Sequence, residues 1–75
     1  MRIDLVRTGD VQTLVETLTA AGIHAWSDAV DTLAVQVGEM TENLGHAIED
    51  WIRTYQLPFI PFQVEDGYAV APPAG

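Results

Sequence analysis

The sequence predicts an α+β fold, and three observations predict it. Two stretches place apolar residues at helical spacing, around residues 11–21 and 44–55. Short segments with a two-residue alternation flank them. Short connectors carrying glycine, proline or aspartate separate the elements.

The first strand spans Arg2 to Arg7, with Ile3 and Leu5 on one side and Arg2, Asp4 and Val6 on the other. Thr8-Gly9-Asp10 breaks that alternation and offers Asp10 as an N-cap, its carboxylate facing the free amides of the next turn. Val11, Leu14, Val15, Leu18 and Ala21 then repeat at helical spacing, and Gly22 follows as the residue that lets a helix stop in a left-handed turn.

Ile23 to Trp26 forms a short second strand, with Ile23 and Ala25 opposed to His24 and Trp26, and Ser27 to Asp31 forms its turn. Thr32 to Val37 alternates again, with Leu33, Val35 and Val37 facing inward. Thr41 can cap a second helix whose apolar stripe is Leu44, Ala47, Ile48, Trp51, Ile52 and Tyr55. Pro58 ends it, because the residue before a proline is pushed out of helical geometry. Phe62 to Val64 and Tyr68 to Ala71 flank an Asp66-Gly67 hairpin turn. Pro61 cannot donate to a ladder, so the fourth strand starts after it or lies at an edge.

The first six elements fit the split βαβ pattern, with both helices on one face of an antiparallel sheet. The expected fold is a two-layer ferredoxin-like βαββαβ sandwich with an additional C-terminal β-hairpin strand. Residues 1–71 form one compact domain, and residues 72–75 a disordered tail.

Charge and composition exclude more than they select. The 75 residues include no lysine, no cysteine, three arginines and eleven carboxylates, for a net charge of −8. No disulfide or thiolate metal site is available, and stability must come from the 48% of residues that are hydrophobic. Such a chain repels nucleic acid. The N-terminus has no continuous apolar stretch, and no run is long enough to cross a membrane, so the expected setting is the cytoplasm with no membrane partner.

A two-layer fold leaves one sheet face without helices. Parity assigns to it a partner-binding surface of Val6, His24, Trp26, Gln36, Tyr68 and Val70, in company with Arg2, Asp4, Thr32, Ala34, Gln63 and Glu65. Aromatic anchors inside a polar rim are what a docking or self-association surface looks like. The expected function is a small non-catalytic regulatory module that forms a homodimer or docks on a protein partner through this face.

Other chemistry finds less support. RNA-recognition sheets stack bases on aromatics of their central strands, but Arg2–Arg7 and Thr32–Val37 hold none. A phosphate at the Gly9 turn would meet the charge of Asp10. Glu42, His46 and Asp50 share one side of a helix, but a single imidazole and two flexible carboxylates on an open surface make a poor metal site. Ser27, the sole serine, points away from His24 in a regular strand, so no Ser–His pair forms. No catalytic residue, metal or cofactor is expected. Glu42, Glu49 and Asp50 instead outline an acidic helix face that could imitate nucleic acid in a basic groove, as an inhibitor of the phage or bacterial antagonist type would.

The element order and the glycine turn Thr8-Gly9-Asp10 entering the first helix are similar to ACT-type small-molecule regulatory modules. That resemblance implies a metabolite bound at a dimer interface near Gly9 and Asp10.

Overall fold

The computed structural model describes residues 1–27, 33–38 and 42–73. The elements are β1 (Arg2–Asp4), α1 (Asp10–Ala20), β2 (Ala25–Ser27), β3 (Ala34–Val37), α2 (Glu42–Thr54), β4 (Ile60–Val64) and β5 (Gly67–Ala71). Residues 28–31 of the expected turn, Thr32 of the expected third strand, the Thr41 cap and the last two residues of the tail lie outside the described residues.

Both helices end in the same way. At α1 the Ile23 amide donates to the Leu18 carbonyl at 2.9 Å and the Gly22 amide to the Thr19 carbonyl at 3.0 Å, with Gly22 at φ 84°. This is a Schellman motif, and its two apolar ends, Leu18 and Ile23, are both buried in the core. At α2 the Leu57 amide donates to the Ile52 carbonyl at 2.9 Å and the Gln56 amide to the Arg53 carbonyl at 3.2 Å. Gln56 takes the left-handed conformation there, at φ 52°. The helix therefore stops at Thr54, before Pro58 can act on it.

The start of α1 differs from the expectation. Gly9 is the N-cap and makes no side-chain cap bond, while Asp10 is already inside the first turn. The Asp10 carboxylate accepts from Arg7 Nε at 2.9 Å and Nη2 at 3.3 Å. A forked guanidinium three residues upstream outcompetes the backbone amides for both carboxylate oxygens.

The fold is α+β, with a five-stranded sheet in the order β2-β3-β1-β5-β4. β1–β3, β2–β3 and β4–β5 are antiparallel, whereas β1–β5 is parallel, so the sheet is mixed rather than antiparallel throughout. The first half keeps the split βαβ arrangement, since β3 lies between β1 and β2. The second half does not: β5, not β4, lies beside β1, and β4 is an edge.

Two residues account for that exchange. Pro61 lies in β4 and brings no N–H, a loss that an edge strand tolerates and a central one does not. Gly67 opens β5 at φ 147°, and a Cβ there would fall 2.1 Å from the Arg2 carbonyl oxygen. Its lack of a side chain lets β5 run directly against β1, where the Arg2 amide also donates to the Asp66 carbonyl at 3.0 Å. The hairpin turn is accordingly Glu65-Asp66, with Val64 paired to Gly67, one residue earlier than Asp66-Gly67.

One cluster joins the layers. Leu14 and Leu18 of α1 and Leu44, Ile48 and Trp51 of α2 pack with Ile3, Val35 and Val37 of the sheet, all essentially inaccessible to water. Both helices feed this single core, so both cover the same sheet face.

Candidate functional site

Residues directly opposite one another in a sheet share a face. Ile3 lies opposite both Val35 and Tyr68, which places Tyr68, and Val70 two residues on, beneath the helices. Val70 is 3% exposed within the core cluster, and half-buried Tyr68 packs against that cluster. The Tyr68 hydroxyl approaches α2 so closely that a Cβ on Gly45 would meet it at 3.2 Å. Tyr68 and Val70 thus do not belong to the open face. The reason is strand order: β5 is an inner strand, so its bulky residues fill the core and its small ones, Ala69 and Ala71, face away.

The same pairings define the helix-free face. One row across the strands runs Trp26, Gln36, Arg2, Gly67, Val64. The next runs Ala34, Asp4, Ala69, Phe62, and Ile60 pairs with Ala71 beyond it. Gln63 sits with Tyr68 on the helix side, though exposed at the edge.

Three large apolar side chains stand out on this surface: Trp26 at 44% exposure, Phe62 at 44% and Ile60 at 49%. The Trp26 indole meets exposed His24 edge-on, with ring centroids 4.8 Å apart at 73°. Between the edges, Arg2 Nε donates to Asp4 Oδ1 at 2.8 Å, so the middle strand presents a neutralised ion pair. Arg2, Asp4, Val64, Glu65 and Asp66 line a shallow groove of about 400 Å³ at one end. Val6 is exposed beyond the end of β1.

Val6, His24 and Trp26 are therefore exposed and Gln36 partly so, whereas Tyr68 and Val70 are turned inward. Ile60 and Phe62 replace them, and the sequence reading missed both. The signal was present: Ile60, Phe62 and Val64 alternate with Pro61 and Gln63, but starting the strand after Pro61 hides the pattern.

Glu42, Glu49 and Asp50 all lie on the exposed side of α2. Two nitrogen-bearing side chains share that side: His46 Nδ1 lies 3.9 Å from Glu49 Oε2, and the Arg53 guanidinium Nη1 3.1 Å from Asp50 Oδ1. Among the described residues no group of three or more His, Cys, Asp or Glu is placed to hold a metal ion. At the glycine turn, the Asp10 carboxylate is held by Arg7, whose guanidinium also lies 4.8 Å from the Phe59 ring centre. No described helix is long and apolar enough to cross a membrane.

No protein-family model, no curated protein and no solved structure matches this chain.

Proposed function

We propose that this chain is a non-catalytic interaction module that docks a protein partner through the helix-free face of its sheet, in a cytoplasmic setting. The observation that carries the reading is the set of large apolar side chains left there: Trp26 on one edge strand, Phe62 and Ile60 on the other. Each is already about half buried, so covering the remainder contributes roughly half of the 1.5–3 kcal/mol of full burial, and aromatic anchors of this kind dominate docking energetics. The Arg2–Asp4 pair and Gln36 supply the polar centre that fixes orientation.

A second reading, the acidic inhibitor of a basic groove, draws on the shared exposure of Glu42, Glu49 and Asp50. Arg53 interrupts that negative surface, which weakens it. A metabolite site at Gly9 and Asp10 gains no support, because Arg7 already engages the carboxylate a ligand would meet.

Capture of partners from native extract separates the readings. Three immobilised forms are compared: the native chain, Trp26→Ala/Phe62→Ser, and Glu42→Gln/Glu49→Gln/Asp50→Gln. Docking through the sheet predicts that the first double variant alone loses its partner, with little response to salt. Loss confined to the triple variant, with binding that collapses between low and moderate ionic strength, overturns the sheet-face reading in favour of the acidic one.

A further inference from the structure

We infer that the occupant of the helix-free face is a second copy of this chain, the two sheets packing face to face with helices outermost. The inference rests on the docking role just proposed and identifies the partner.

Charge on the face argues for this occupant. Five of the eleven carboxylates, Asp10, Glu16, Glu42, Glu49 and Asp50, lie on the helices. The outer half of the open face, formed by Ile60, Phe62, Val64, Ala69 and Ala71, carries no charge. The middle strand carries one charge of each sign, Arg2 and Asp4, on neighbouring rows. Apart from Glu65 and Asp66 at the end of the face, a strongly basic partner would find only Asp4 to pair with, whereas a second copy brings an Arg2 to each Asp4.

The rows make that complementarity specific. A two-fold axis running across the strands, between the Arg2 and Asp4 rows, sets each Arg2 over the partner's Asp4. The same axis lays Phe62 against the partner's Val64, and Val64 against the partner's Phe62. Small Ala34 and Ala69, both already buried, flank Asp4. Packed sheets stand about 10 Å apart with strands roughly aligned. The five helical carboxylates then lie on opposite outer surfaces, farther apart than the Debye length of about 8–10 Å, so that part of the negative charge does not oppose assembly. Edge-to-edge pairing through β4 is the less favourable alternative, because Pro61 deprives that edge of a donor.

Light scattering and native mass spectrometry on the full chain, at tens of micromolar protein, test this directly. The native chain is expected at twice its 8.2 kDa mass. Phe62→Ser, Asp4→Arg and Arg2→Asp should each raise the dimer dissociation constant at least about tenfold while circular dichroism stays unchanged. Mixing Asp4→Arg with Arg2→Asp should restore a dimer, as a mixed species, since each then faces the opposite charge. A native chain that remains monomeric overturns the inference and leaves the face to a different protein. A dimer indifferent to all three substitutions overturns it as well, by placing the contact elsewhere.

Discussion

The Trp51 indole Nε1 donates to the Thr13 hydroxyl at 3.1 Å, joining the two helices across the middle of the core. The same hydroxyl donates onward to the Asp10 carbonyl at 3.0 Å, so its donor and acceptor roles are both used. Trp51 is fully buried, and its N–H has no access to water.

Thr13→Val keeps the shape of the side chain and removes the acceptor. It leaves a buried donor unpaired, which costs about 1–3 kcal/mol. Urea unfolding should show a lowered midpoint with an unchanged slope, and Thr13→Ser should recover most of the loss. A Thr13→Val chain as stable as the native one would mean that the bond contributes nothing.

The two Schellman turns invite a paired experiment. Gly22 occupies its left-handed position freely, with nothing within 4 Å of where a Cβ would be. Gln56 occupies the equivalent position at φ 52° with a side chain that disfavours it. Gln56→Gly should therefore stabilise the protein by about 1 kcal/mol, and Gly22→Ala should destabilise it by a similar amount. Thermal unfolding of the two variants would shift in opposite directions.

Gly67→Ala should be far more damaging. The added methyl would fall 2.1 Å from the Arg2 carbonyl oxygen, backbone that cannot turn aside as a side chain can. The β1–β5 pairing must open to admit it, and the expected outcome is loss of cooperative thermal unfolding. Circular dichroism through the transition checks this; a sharp transition near the native midpoint would contradict the close approach of β5 to β1.

Much of this architecture was legible in the sequence because it is written in local periodicity. Leu14 and Leu18, and Leu44, Ile48 and Trp51, announce their helix faces by spacing alone, and Gly22 announces where α1 stops. What was not legible depends on contacts distant in sequence. Asp10 reads as a cap until Arg7 is seen to take its carboxylate. Gln56 carries no sign that it will accept a positive φ. The candidate surface suffered most, because which face Tyr68 takes depends on whether β4 or β5 lies beside β1. Alternation groups Tyr68 with Val70 correctly, but it does not say which group points inward.

The inward placement of Tyr68 has its own test, through Gly45. Replacing a helix-interior glycine by alanine ordinarily gains about 1 kcal/mol. Here the new methyl would sit 3.2 Å from the Tyr68 hydroxyl oxygen, so crowding should cancel most of that gain in the native background. Tyr68→Phe removes the oxygen, and the nearest remaining ring atom is 3.8 Å away, an ordinary contact. Gly45→Ala should then stabilise the Tyr68→Phe chain by close to the full helical gain. A double-mutant cycle on unfolding free energies would report a coupling of about 0.5–1 kcal/mol. Tyr68 on the helix-free face could not touch α2, and the two changes would simply add. Additivity within error would return Tyr68 to the open face and remove the reason for assigning that surface to Trp26, Phe62 and Ile60 alone.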